Sequence, residues 1–81
     1  MLNLGFNHYI PIGMIGSILD ATSSTSLKKF IEIKRNANEV LNTSSGRKTL
    51  SYVLTVDGLV YASAVSTSAL RERYSKAKYG R

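Results

Sequence analysis

The chain has 81 residues, no cysteine, one histidine and a net charge of +6. This length corresponds to one domain at most. The lack of cysteine excludes disulfides, thiolate metal sites and cysteine catalysis, and His8 alone leaves little material for a histidine metal site or a catalytic triad. We therefore expect no enzymatic activity, no cofactor, no metal and no small-molecule substrate.

The most apolar segment, residues 10–19, is the one candidate for a targeting or membrane segment. It is too short to span a bilayer. No Lys or Arg precedes Lys28, so the basic region that begins a signal peptide is missing. The sequence therefore predicts a cytoplasmic protein without a membrane partner.

The first part of the chain is predicted to form two strands. Residues 1–6 alternate loosely between apolar and polar side chains and favour a first strand, whereas residues 7–10 are expected to form a turn or loop. Residues 14–19 are rich in Gly and Ile without Lys or Glu, which indicates a short buried strand. The polar connection at 20–26 then supplies N-cap residues for a helix.

The longest helical pattern covers residues 26–41. With successive residues about 100° apart around a helix, the apolar side chains cover about half of its circumference. They are Leu27, Phe30, Ile31, Ile33, Ala37, Val40 and Leu41. Lys34 projects into the middle of this arc, so its amine is expected to extend to solvent or to face a subunit boundary. Gly46, in the polar stretch after the helix, suits a position with positive φ.

The clearest β signal is a hairpin. Residues 49–56 and 59–65 flank Asp57-Gly58, which is typical of a two-residue type I′ turn. Such a turn pairs Leu54 with Tyr61 and makes one face almost wholly apolar and the other fairly apolar. Both faces then need a cover. The second cover must be a C-terminal helix at 67–76, another subunit, or both.

These elements predict an α+β fold. We expect one domain over residues 1–76, with a small, mostly antiparallel sheet, one long helix and a C-terminal helix, followed by a basic tail at 77–81. A chain this short buries little surface, and this one has no disulfide or cysteine-bound zinc to compensate. We therefore expect a homo-oligomer of more than two subunits.

The basic residues cluster in three places, the long helix, the stretch after Gly46 and the C-terminus. On the helix, the spacings Lys28–Glu32 and Arg35–Glu39 fit i,i+4 ion pairs on a solvated face, with nucleic-acid contact as the alternative. The C-terminal bases fit either a solubilising tail or nucleic-acid contact. Arg47 and Lys48 lie at a predicted loop-to-strand junction, where backbone N–H groups, hydroxyls and cations can meet one phosphate. These clusters favour a nucleic-acid binder.

Five stretches in this order resemble the RemA-like family of bacterial regulators: Asn3-Leu-Gly-Phe6, Leu27-Lys-Lys-Phe-Ile31, Gly46-Arg-Lys-Thr49, Tyr52-Val-Leu-Thr-Val-Asp57 and Ser63-Ala-Val65. The likeness covers residues 3–73. It implies a transcriptional regulator that binds double-stranded DNA as a ring of identical subunits and controls extracellular-matrix and biofilm genes. It maps the family's paired bases onto Arg47 and Lys48, and a basic residue early in the helix onto Lys29.

The chain departs from the family's pattern at two positions. Met14 stands where an arginine usually precedes the second strand, and Leu50 stands where an arginine often follows the basic motif. The expected DNA-binding residues are Arg47, Lys48 and Lys29, with Lys28 and Arg35 beside them on the helix. Two alternatives stay open: a structural or adaptor oligomer that binds a protein partner, and an RNA-binding module.

Overall fold

A computed structural model describes residues 1–22 and 24–79. In chain order its elements are β1 (Leu2–Gly5), β2 (His8–Ile10), a 3-10 turn (Ile12–Met14), β3 (Ile15–Asp20), α1 (Thr25–Asn36), β4 (Val40–Asn42), β5 (Ser51–Thr55), β6 (Val60–Ser63) and α2 (Thr67–Tyr79). The predicted α+β class is confirmed. The helices have similar lengths, 12 and 13 residues, so α1 is not the single long helix that was expected.

The main sheet has four strands in the order β3-β5-β6-β4. β5 pairs antiparallel with both β3 and β6, but β4 pairs parallel with β6. The sheet is therefore mixed rather than simply antiparallel. β1 and β2 form a separate antiparallel pair, so the prediction of a turn or loop at residues 7–10 was wrong for β2.

The C-terminal end of α1 differs most from the prediction. The helix ends at Asn36 rather than at residue 41. Asn38 adopts a φ of 59°, and its N–H donates to the Arg35 carbonyl, which closes the last turn. Asn is one of the few residues that tolerate this left-handed conformation. The chain reverses there, and Val40 and Leu41 become part of β4.

The N-terminal end of α1 follows the predicted capping chemistry. The Ser24 hydroxyl accepts a hydrogen bond of 3.0 Å from the Leu27 N–H. Ser23, in the same polar connection, lies outside the described residues. At the start of α2, Ser66 accepts in the same way from the Ala69 N–H.

The β5–β6 hairpin is present, but the predicted register was wrong by one residue. Leu54 pairs with Val60 instead of Tyr61. The Thr55 N–H donates to the Leu59 carbonyl at 3.0 Å, which leaves a turn of three residues at 56–58. This turn ends with Gly58 at a φ of 88° and is a common alternative to the two-residue turn. A shift of one residue changes which side chains of the two strands lie on the same face of the sheet. Leu54 therefore shares a face with Val60.

Both faces of the main sheet are covered within the chain. α1 packs Leu27 and Ile31 against Val60 on one face. On the opposite face Val53 packs into a second cluster, whose other buried members come from β1, β2 and α2: Leu2, Leu4, Ile10 and Leu70. The C-terminal helix therefore covers the sheet as predicted, together with the β1–β2 pair. The two-faced hairpin does not by itself require a second subunit.

The Lys34 side chain joins α1 to the β5–β6 turn. Its amine was expected to extend to solvent or to face a subunit boundary. It instead donates to the Gly58 carbonyl at 2.9 Å and lies 3.4 Å from the Glu39 carboxylate. The side chain is 23% exposed. Because the amine is partly shielded from water, these contacts are worth more than those of a surface ion pair.

Replacing Lys34 with Met is expected to lower the free energy of unfolding by about 1–2 kcal/mol, because a charge-assisted hydrogen bond is lost. Urea denaturation measures the change. The matched control is Lys29→Met, an exposed position on the same helix, which should change stability by less than about 0.5 kcal/mol. Equal effects of the two substitutions would contradict this role of Lys34.

Asp57 gives the β5–β6 turn a dependence on pH. The Thr55 hydroxyl donates to its carboxylate and holds the pKa of Asp57 below its ordinary value of 3.8. This stabilisation is present above that value and is lost as the pH falls through the lower pKa of the folded state. Asp57→Ala should therefore be less stable than the parent at about pH 6, and the difference should shrink below about pH 4. Urea denaturation across this range tests it, and a pH-independent difference would contradict it.

Candidate nucleic-acid interface

The basic residues after Gly46 lie at one end of the main sheet, which we call the loop end. Here β3, β4 and β6 finish and β5 begins. The loop end comprises the turn at 44–47 with Lys48, the Phe6-Asn7 turn between β1 and β2, and the first turns of α1 and α2. The β5–β6 turn lies at the opposite end.

The turn at 44–47 presents Arg47 and Lys48 to solvent. Ser45 and Gly46 have φ values of 52° and 80°, and the Arg47 N–H donates to the Ser44 carbonyl at 3.0 Å. This geometry confirms the positive φ expected at Gly46. Both Arg47 and Lys48 are exposed, as a phosphate contact requires.

Hydrogen bonds hold this turn against the sheet. The Ser44 N–H and hydroxyl donate to the Asn42 side-chain oxygen at 2.9 and 2.5 Å. The buried Thr43 hydroxyl donates to the Ala62 carbonyl at 2.7 Å. The polar residues before Gly46 therefore fix the turn to β4 and β6.

The Phe6-Asn7 turn lies beside this loop. Both residues have positive φ, 52° and 66°. The Gly5 N–H donates to the Asn3 side-chain oxygen at 2.8 Å, and the Ser63 hydroxyl donates to the backbone of β1 at 2.9 Å. The family-like stretch at 3–6 thus builds a tight turn that leaves Phe6 46% exposed.

The two turns meet through their side chains. The Arg47 guanidinium carbon lies 5.6 Å from the centre of the Phe6 ring, within cation–π range. Phe6 was not among the site residues expected from the sequence. Its only local signal was an aromatic residue directly after glycine in a predicted turn region, and its contact with Arg47 depends on tertiary structure.

The predicted helix bases do not join Arg47 and Lys48 in one cluster. Lys28 ends the first turn of α1 and Lys29 begins the second, near the loop end but on the face of the sheet opposite the β1–β2 pair. Arg35 lies two turns further along, towards the other end. All three are exposed.

The ion pairs expected along α1 differ from those in the structure. Among residues 1–22 and 24–79, the ion pairs are Lys34–Glu39 and Glu72–Lys76. Arg35–Glu39 cannot form an i,i+4 helical pair because Glu39 lies beyond the end of α1. The two i,i+4 ion pairs that were expected on a solvated face of α1 are therefore absent from the described residues.

Two C-terminal bases contact the rest of the domain. Arg71 donates to the Ile18 carbonyl at 3.4 Å, and Arg73 donates to the Asn3 carbonyl at 3.1 Å. Arg71 also helps to lower the pKa of Asp20, which is lowered mainly by hydrogen bonds from the backbone and hydroxyl of Thr22. Of the expected tail, residues 77–79 belong to α2 and residues 80–81 lie outside the described residues.

The two departures from the family pattern have different environments. Met14 is partly buried and packs against the cluster around Val53. Leu50 is 39% exposed at the loop end, close to the start of β5. The Met14 side chain therefore adds to the core, and the Leu50 side chain adds exposed apolar surface at the loop end.

Two further properties concern only the described part of the chain. It contains no helix that is long and apolar enough to cross a membrane. Nor do its His, Asp and Glu side chains form a group of three or more that could hold a metal ion.

The fold and the loop end define a small α+β domain whose paired bases project from a fixed turn. The model of the RemA-like family, described as extracellular matrix regulatory protein A-like, matches residues 1–74, and the chain belongs to this family. The resemblance seen in the sequence is thereby confirmed.

Relatives from bacteria align with nearly the whole chain. One from Nitratidesulfovibrio vulgaris strain DP4 is 29% identical over 76 residues, which are 94% of this chain and 87% of the relative. One from Petrotoga mobilis is 29% identical over 79 residues, which are 98% and 82% of the two chains. Both bear the name "Putative regulatory protein".

Proposed function

We propose that this protein is a transcriptional regulator that binds double-stranded DNA in the cytoplasm as a ring-shaped homo-oligomer and acts on extracellular-matrix genes. The observation that carries the proposal is the exposed Arg47-Lys48 pair on a turn fixed by hydrogen bonds. Membership of a family of regulatory proteins and the net charge of +6 support it.

The affinity would come mainly from phosphate neutralisation. Each basic side chain that contacts a phosphate releases a counterion, so the slope of log K against log salt is about −0.9 per contact. The turn at 44–47 is ordered before binding, which reduces the ordering cost. DNA shape and deformability would supply selectivity, since contacts to phosphates carry no sequence information of their own.

Oligomerisation would turn a weak site into a strong one. Arg47 and Lys48 supply two cations per subunit, and several subunits on one duplex act multivalently. Large apolar side chains away from the loop end support self-association, since Ile33 and Val56 are each 67% exposed. Contacts between subunits there would leave the loop end free for DNA.

Light scattering at micromolar protein, with native mass spectrometry, is expected to give a closed oligomer of more than two subunits. The exposed apolar side chains and the small monomer core are the physical reason. A monomer mass that does not change with concentration would contradict the prediction.

Binding to a duplex of a few tens of base pairs over a salt series tests the DNA-binding proposal. We expect log K to fall linearly with log salt. Single-stranded RNA of equal length is the matched competitor, and its preferential binding would favour the RNA-binding alternative. The absence of salt-dependent duplex binding would reject the proposal.

A further inference from the structure

The contact between Phe6 and Arg47 joins two turns that are far apart in the sequence. The guanidinium carbon lies 5.6 Å from the ring centre, and both side chains are exposed at the loop end. An exposed aromatic ring beside an exposed guanidinium limits the directions in which the arginine can extend.

Two adjacent residues of β6 hold these turns together. The Thr43 hydroxyl, directly before the turn at 44–47, donates to the Ala62 carbonyl, and the Ser63 hydroxyl donates to the Leu4 carbonyl just before the Phe6-Asn7 turn. Thr43 and Ser63 are only 3% and 0% exposed. Because these bonds are shielded from water, both turns are firmly anchored to the same strand end.

The backbone at Phe6 has an unfavourable conformation for an aromatic residue. Its φ is 52°, in the left-handed region that bulky side chains rarely occupy. Such a conformation persists only where the surrounding structure enforces it, and it is found often at functional sites. Here it places the ring in reach of Arg47.

We propose that Phe6 is a positioning residue for Arg47: its ring holds the guanidinium in an extended, surface-directed arrangement that suits a DNA phosphate. This inference rests on the proposed function. Because the Phe6 ring already restricts the Arg47 side chain, Arg47 loses less conformational freedom when it binds a phosphate. Within residues 1–22 and 24–79, no aromatic ring contacts Lys48 in this way. The two adjacent bases are therefore unequal.

The experiment is a double-mutant cycle on duplex DNA with Phe6→Leu, Arg47→Ala and their combination. Phe6→Leu is expected to weaken binding by about 2–5-fold per engaged subunit. The salt slope should stay that of the parent, because every charge is retained. In the Arg47→Ala background, Phe6→Leu should have no further effect, since there is nothing left to position.

Two matched variants separate positioning from a purely structural role. Phe6→Tyr keeps the ring and should keep the parent's affinity. In a Lys48→Ala background, Phe6→Leu should retain its full effect, because Arg47 is still present. Equal effects of Phe6→Leu with and without Arg47 would overturn the inference, as would an unchanged affinity of Phe6→Leu.

A measurement without DNA keeps the inference falsifiable if Phe6→Leu does not fold. In the parent protein, the ring current of Phe6 should shift the Arg47 side-chain proton resonances upfield in NMR spectra. Unshifted resonances would overturn the inference while salt-dependent DNA binding still supports the proposed function. If the parent protein fails to bind duplex DNA, the proposed function is rejected, and the inference is rejected with it.

Discussion

Replacing both Arg47 and Lys48 with Ala is expected to weaken duplex DNA binding roughly a hundredfold or more, on all sequences alike. Each lost phosphate contact reduces the magnitude of the salt slope by about 0.9, so each engaged subunit contributes a reduction of about 1.8. The loss repeats at every subunit that touches the duplex. Binding over a salt series measures both quantities.

The folded state should survive this double substitution. Both side chains are exposed, and the hydrogen bonds that hold the turn at 44–47 come from other residues and from the Arg47 backbone, which alanine retains. The melting temperature and oligomer mass should therefore match those of the parent. A change in the melting temperature or the oligomer mass would mean that binding is lost through a change in folding or assembly and not through lost phosphate contacts.

The control is the double substitution of Lys76 and Lys78 with Ala, which removes the same charge near the end of α2. Lys76 pairs with Glu72 at 3.2 Å, and Lys78 lies over the rings of Tyr74 and Tyr79. These bases lie far along α2 from the loop end and should contribute less to binding. If this variant loses binding while the first keeps the parent's affinity and slope, the DNA surface is on α2.

Elements decided by local chemistry were predicted well. The start of α1 follows from a serine cap in the polar connection, and the C-terminal helix expected at 67–76 is present as α2, which begins after a second serine cap, Ser66. β4 could not be separated from α1 by periodicity, because Val40 and Leu41 continue the helical apolar arc. Only the reversal at Asn38 and the pairing with β6 make them a strand.

The candidate site was predicted in part for the same reason. Arg47 and Lys48 are exposed between the turn that contains Gly46 and the start of β5, because glycine and polar residues specify such a turn locally. The position of Phe6 depends on the hydrogen bond from the Ser63 hydroxyl of β6 to the Leu4 carbonyl, and no local sequence pattern reveals this bond. That the paired bases contact DNA stays a prediction.

Replacing Leu70 with Ala is expected to have the largest effect on stability, a loss of about 2–5 kcal/mol in the free energy of unfolding. Its side chain is fully buried, in the same cluster as Leu2, Leu4 and Val53. Leu70 is also the one fully buried apolar side chain of α2. A loss of this size is a large fraction of the stability of a small domain, which is about 5–15 kcal/mol.

Chemical denaturation at low temperature, where the variant is still folded, measures the change. Lys76→Ala is the control on the same helix. It removes an exposed ion pair worth less than about 1 kcal/mol. A comparable loss in both variants would show that α2 is not held by Leu70.

The Leu70→Ala substitution should also affect the loop end through the β1–β2 pair. α2 packs on β1, and Arg73 donates to the Asn3 carbonyl there, so a loosened α2 withdraws support from the strand that leads into Phe6. The upfield shift of the Arg47 side-chain protons should therefore decrease in folded Leu70→Ala. The same shift should be unchanged in Lys76→Ala, because that side chain lies on the exposed surface of α2. An unchanged shift in both variants would mean that the β6 hydroxyl contacts alone hold Phe6 against Arg47.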